Sequence, residues 1–224
     1  MDAVSAALEA LGAMIQENPS VSGCAMPWSH AGVDIQFDIG NTGLMSYVEV
    51  LILSHLAKEP RHGYELRRRV EATTGFGLHN NSLYPALRRF EEAGAVTKTA
   101  EPQEGGRPPR LVYAITDVGR QLLHDMLADL PADQAGDEAE FLARVGQFDL
   151  LTSAERCAVL DARLAALADR TTHLAGLAEA SRDHPWGAVV VGELTRRAAA
   201  ERRWLTRLRA LGGELPPPEI GDQR

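Results

Sequence analysis

The stretch Asn80-Asn81-Ser82-Leu83-Tyr84-Pro85-Ala86-Leu87-Arg88-Arg89-Phe90-Glu91-Glu92-Ala93-Gly94 constrains this chain more than any other. Leu83, Leu87 and Phe90 recur at spacings of four and three, which puts them on one buried helical face. Ser82 is expected to cap the helix, its hydroxyl accepting from an orphan amide one turn on. Pro85 then falls in the first turn, where a missing N–H costs nothing. Gly94 supplies the left-handed stop. Tyr84, Arg88 and Asn81 remain on the opposite side, with Asn80 just before them. A short helix with a polar, aromatic and basic N-terminal end is what a DNA-reading helix presents to a major groove.

The flanking sequence gives this helix a setting. Leu44–Ala57 is expected to be a helix with Leu44, Val48, Leu51, Ile52 and His55/Leu56 as its stripe. Glu59-Pro60-Arg61-His62-Gly63 turns the chain. A second helix follows to Thr74, with Leu66 and Val70 inward and Arg67, Arg68 and Arg69 outward. Gly75-Phe76-Gly77 reads as a plain turn, since two glycines are too few for a phosphate cradle. After Gly94, residues 95–99 and 111–115 have strand character and make a β-hairpin around a polar Gly/Pro loop. Lys98 and Arg110 flank it, either against DNA or as charges that guard an edge. Thr116-Asp117 opens a further helix to Leu130.

Charge follows the same division. The chain of 224 residues has a formal net charge of −8. Residues 44–115 alone are net +2, whereas the segments before and after are each net −5. One cationic face on an otherwise acidic molecule suits specific binding to a polyanion while discouraging loose contacts elsewhere. No apolar run reaches the ~18 residues of a membrane span. Cys24 and Cys157 stand far apart without metal spacing, which implies a reduced, cytoplasmic chain. No Ser/His/Asp set, paired carboxylates or metal-spaced cluster is present, so neither catalysis, a cofactor nor a metal has candidate residues.

Residues 1–43 hold a weak amphipathic helix to Glu17 and then a Pro-, Ser- and Gly-rich run without period, expected to be a poorly ordered extension. Trp28, Ile35 and Phe37 lie in it. Pro131–Gly136 is the expected boundary between a unit of residues 44–130 and a helical unit of residues 137–213; residues 214–224 form a Pro-rich tail. In the second unit, Thr152-Ser153-Ala154-Glu155 is a capping box opening a long helix to about Arg182. Leu160, Leu164, Leu167, Thr171, Leu174 and Ala178 form a heptad seam on it, which suggests a homodimer. His184-Pro185 breaks the chain before a last helix, Trp186–Leu211.

Five blocks together resemble the PadR family of bacterial transcriptional regulators. They are His62-Gly63-Tyr64-Glu65-Leu66, Ser82 to Arg89, Glu91 to Gly94, Gly106-Arg107-Pro108 and Tyr113 to Gly119, in order and at family spacing across residues 44–124. The resemblance implies a mainly α-helical protein: a winged helix-turn-helix domain followed by an α-helical dimerisation domain. It implies a homodimer on double-stranded operator DNA, and a repressor released by a small, often aromatic, effector. Carried over residue by residue, Tyr64, Ser82, Tyr84 and the wing's Arg107 fall where the family meets DNA. Asn80-Asn81 depart from the Gly or Ser usual there, and residues 1–44 extend beyond the family's start.

Each of these residues also has a plainer reading. Tyr64 can pack on the first helix, the arginine run can be a solvated face, and Arg107 can be an idle loop residue. Trp186 and Trp204 fill a dimer core or serve as platforms for a flat effector. His173 is an exposed or core-edge residue or a ligand contact. The competing function is a protein-interaction or ligand-sequestering module that kept the fold without DNA affinity.

Overall fold

The computed structural model describes residues 46–74, 80–102 and 110–212. The extension with Trp28, the Gly75-Phe76-Gly77 turn, the loop with Arg107 and the Pro-rich tail lie outside them, as do the side chains of Asn80, Asn81 and Ser82.

Helix α1 (Ser46–Lys58) is the hub of the first half. Val48, Val50, Leu51, Ile52, Leu53 and Leu56 are all buried, so its apolar residues go all round rather than along one stripe. Such a helix must be covered on every side. Helices α2 (Gly63–Thr74), α3 (Asn80–Glu92), α4 (Asp117–Ala128) and α5 (Glu138–Val145) all touch it. Leu66, Val70, Leu83, Leu87, Phe90, Leu123 and Leu127 close the core with it.

Three strands form the wing. Strand β1 is only Arg61–His62, β2 is Val96–Glu101 and β3 is Arg110–Ile115. Their order is β1-β3-β2, antiparallel throughout. The register sets Lys98 opposite Tyr113 and Glu101 opposite Arg110. The turn expected over residues 59–63 contains strand β1. Two residues carry no alternation to detect, yet they pair with β3 and bring the start of α2 onto the sheet.

The joint after α3 is built from Gly94. Its φ of 70° is the left-handed conformation. Gly94 N donates to Glu91 O at 3.0 Å and Ala95 N to Phe90 O at 2.8 Å. That pair of bonds is a Schellman stop, and it satisfies carbonyls that the helix end would orphan. The expected start of α3 differs. The helix begins at Asn80, so Ser82 lies inside its first turn and is not the cap, and Pro85 lies within the helix. As the sixth residue it lies past the four orphan amides of the start, so it removes one backbone bond that a proline in the first turn would not.

At the far side of the wing, Thr116 Oγ1 accepts from Gly119 N at 3.1 Å and donates to Gly94 O at 2.7 Å. A Cβ on Gly119 would lie 2.1 Å from Ala95 O. Only glycine lets α4 sit this close to the stop of α3.

Beyond α4, a turn over residues 132–136 leads to α5, a 3-10 turn (Phe148–Leu150), and two long antiparallel helices, α6 (Ser153–Ala180) and α7 (Pro185–Ala210). Thr152 and Glu155 make the expected capping box at α6. The leucines of the α6 heptad seam are covered within the chain, whereas Ala178 at its end is exposed. Leu160, Leu167 and Leu174 pack with Ala198, Leu205 and Leu208 of α7, while Leu164 is half-buried. A 3.5-residue repeat records that a helix has a partner; it does not say that the partner is another chain.

Two buried arginines join the halves. Arg144 of α5 donates to Glu140 Oε2 at 2.8 Å and to the carbonyls of Met126 and Asp129 at 3.1 and 3.0 Å. Glu140 Oε1 in turn accepts from Tyr47 N at 2.8 Å, at the start of α1. Arg163 of α6 donates to Glu201 at 2.7 Å and to Ala135 O at 2.8 Å, with its guanidinium 5.5 Å from the Phe141 ring centroid.

Candidate nucleic-acid interface

Helix α3 separates its faces cleanly. Leu83, Ala86, Leu87 and Phe90 are at most 3% exposed, while Tyr84 and Arg88 face outward. Burial of the four apolar side chains fixes the rotation of the helix and so the direction of the other two. Arg89 turns back, pairing with Glu49 of α1, and is thereby occupied. Burial pushes the Glu49 carboxyl up, and the hydrogen bond from Arg89 opposes that. Arg88 has no carboxylate partner among the described residues.

Tyr84 lies over the start of α2. A Cβ on Gly63 would stand 3.2 Å from Tyr84 Cε1 and 3.4 Å from Tyr113 Cε2. The two rings therefore close over a bare backbone at Gly63. Tyr113 is 6% exposed and burial pushes its phenol up, so it remains a neutral floor. Next to Gly63, Tyr64 is 70% exposed, the most open aromatic among the described residues of this half. A phenol so placed keeps its hydroxyl available to a phosphate.

Arg67 is close enough to Tyr64 and Tyr84 to feel both phenols, and its own guanidinium pairs with Glu71 at 2.8 Å. Lys98 pairs with Glu91 at 2.8 Å, and this hydrogen bond raises its pKa. Its charge also reaches Arg88 and Tyr113. Thus Tyr64, Tyr84, Arg88 and Lys98 share one neighbourhood spanning α2, α3 and β2. Arg110, exposed and opposite Glu101, marks the outer end of the hairpin. Asn80 and Asn81 open α3 on the same helix. Sequence reasoning missed Gly63 and Tyr113 as the seat of Tyr84. Both stand inside the quoted blocks, but their contact depends on the short strand β1 that no pattern announces.

The three residues considered for an effector are not brought together. Trp186 is 83% exposed at the start of α7. Trp204 is half-buried, edge-on to Phe141 at 6.1 Å and 79°. Eighteen residues of helix separate the two by ~27 Å. His173 is exposed on α6. No single platform within one chain includes all three. No described helix is long and apolar enough to cross a membrane, and no metal-spaced cluster occurs among the described residues.

The profile of the transcriptional regulator PadR-like family matches residues 52–125. A "probable transcriptional regulator" of Mycobacterium tuberculosis is 36% identical over 80 residues, covering 35% of this chain and 42% of that protein. The chain spans less than half the length of the curated relatives it matches, 20% and 42%. Among solved structures, a transcriptional regulator from Thermoplasma acidophilum is 35% identical, with 46% of this chain and 88% of the other covered and a TM-score of 0.34. PadR of Bacillus subtilis, in complex with operator DNA, is 21% identical, with 75% and 98% covered and a TM-score of 0.37. The matched residues run from the middle of α1 through the recognition helix and wing into α4, and through this winged helix the chain belongs to the PadR-like family of transcriptional regulators.

Proposed function

We propose that the protein is a sequence-specific regulator that binds double-stranded DNA as a homodimer. The carrying observation is the exposed pair Tyr84 and Arg88 on a helix whose other face is fully buried, flanked by Tyr64 and the wing. In this reading α3 enters the major groove, and Asn80, Asn81, Ser82, Tyr84 and Arg88 face bases and flanking phosphates. Tyr64, Lys98, Arg107 and Arg110 meet the backbone or the adjacent minor groove. PadR of Bacillus subtilis is found in complex with operator DNA, which accords with this reading.

Repression and release by a small-molecule effector are the regulatory part of the proposal. A ligand can release DNA only as far as its affinity differs between the DNA-competent arrangement and another. The buried Arg144 and Arg163 clusters, which tie α4, α5 and α6 together, are a physical route between a ligand on the long helices and the winged domain.

The test is a fluorescence-anisotropy titration of the full chain on its own upstream DNA and on a scrambled duplex, at several salt concentrations. The expected result is binding at least ~10³-fold tighter to one upstream segment, with affinity that falls steeply with salt. Equal, weak binding to both duplexes would favour a module that kept the fold without DNA affinity.

A further inference from the structure

Helix α7 is the most basic of the described elements, with six arginines against two glutamates in a chain of net charge −8. Half of these arginines are neutralised locally. Arg196 and Arg197 both bond Glu193, at 2.7 and 2.8 Å, and Arg209 bonds Asp161 at 2.7 Å. Glu201 is taken by the buried Arg163. Arg202, Arg203 and Arg207 are left without a carboxylate partner among the described residues.

All three line one open groove beside α6, about 530 Å³ in volume, together with Thr195, Ala199 and Thr206 of the same exposed face and the half-buried Thr171 of α6. Arg203 and Arg207 stand one helical turn apart, where like charges repel; a shared anion removes that repulsion.

Hydrogen-bond accounting narrows the ligand further. Thr171 Oγ1 donates to Leu167 O at 2.7 Å, Thr195 Oγ1 to Val191 O at 2.8 Å and Thr206 Oγ1 to Arg202 O at 2.8 Å. Each threonine proton is therefore used by its own helix. What remains toward the groove is the hydroxyl lone pairs, which only accept. Arginines only donate. The groove thus offers donors for a carboxylate or phosphate and acceptors for an O–H or N–H of the same molecule.

We propose that this groove binds a small organic anion that also carries a hydroxyl or amino donor, its anionic group held by Arg202, Arg203 and Arg207 and its donor by the threonine oxygens. A second copy of the chain fits less well. Two-fold docking would set the arginine patch of one copy against the same patch of the other. As an effector site the groove rests on the regulatory reading above; as an anion site it does not.

The experiment is calorimetric titration of the full chain at fixed ionic strength with citrate and with tricarballylate, which has the same three carboxylates and no hydroxyl. Saturable citrate binding is expected, with tricarballylate weaker by roughly threefold to tenfold for the lost hydrogen bond. Arg203→Gln with Arg207→Gln should weaken citrate about tenfold or more. The control pair Arg196→Gln with Arg197→Gln should leave it unaltered, all variants keeping the parental melting curve. Absence of saturable heat from citrate overturns the proposal, as do equal binding of the two probes and equal loss in both variant pairs. So does a groove variant that keeps citrate binding but changes a sedimenting dimer to monomer, which would give the groove to a second copy. Operator release by citrate is read separately. Citrate binding without release keeps the site and removes the effector role.

Discussion

At the scale of single residues, the site depends on what lies beneath Tyr84. Gly63 leaves room for the ring, and Tyr113 supports it from the sheet. Tyr84→Ala should cost operator affinity ~1–3 kcal/mol and leave random-DNA binding nearly unaltered. Gly63→Ala keeps the phenol but sets a methyl 3.2 Å from the Tyr84 ring, which must shift by a few tenths of an ångström, so it should show a smaller specificity loss in the same direction at near-parental thermal stability. Anisotropy on matched and scrambled duplexes reads both; an alanine at 63 that leaves discrimination intact would show that the seat of Tyr84 is unimportant. A different residue carries the frame. Arg144 and Glu140 are 2% and 7% exposed and tie α5 to the start of α1 and the end of α4. Removing one partner of a buried pair strands the other's charge, so Arg144→Ala should destabilise by ~3–5 kcal/mol in urea unfolding. Neither arrangement was legible beforehand. Glu140 and Arg144 at i,i+4 look like an ordinary solvated pair, and only the return of α5 onto α1 buries them.

At the scale of elements, the helices were readable because each has a chemical signature at its ends. Gly94 stops α3, Thr116 starts α4, and Thr152 with Glu155 starts α6. Strand β1 and the start of α3 were not, because two paired residues have no period and Ser82 is as good a first-turn residue as a cap. The α6 box also has a pH consequence. Hydrogen bonds from the Thr152 backbone and hydroxyl hold the Glu155 carboxyl below its ordinary range. A carboxyl depressed in the folded state adds stability above its unfolded pKa, near ~4.3, and loses it as pH falls through the folded value. Glutamine caps the helix without ionising. The melting temperature of the parent should therefore exceed that of Glu155→Gln near neutrality, and the gap should close below about pH 4. A gap independent of pH would assign the cap no ionic part. Thr152→Ala should lose ~1 kcal/mol near neutrality, the usual value of an N-cap, and less as pH falls and the Glu155 carboxyl protonates.

At the scale of the whole molecule, the apolar surface left open bears on assembly. The leucines of the α6 seam are covered inside the chain, but Trp186, Val189 and Val190 at the start of α7 are 83%, 61% and 44% exposed. Such a patch on the helix remote from the wing suits a two-fold contact. Sedimentation should show a dimer for the parent and monomers for Val189→Asp; a variant that stays dimeric would move the interface elsewhere. A dimer also fixes the geometry on DNA, since two recognition helices must lie about 34 Å apart, one turn of duplex, to enter successive major grooves from one side. Hydroxyl-radical footprinting of the chain's own upstream DNA tests this most directly. The account predicts two related protected patches centred about one helical turn, ~10 bp, apart on one face of the duplex. A single patch, or no protection at a concentration where the protein is dimeric, would contradict it.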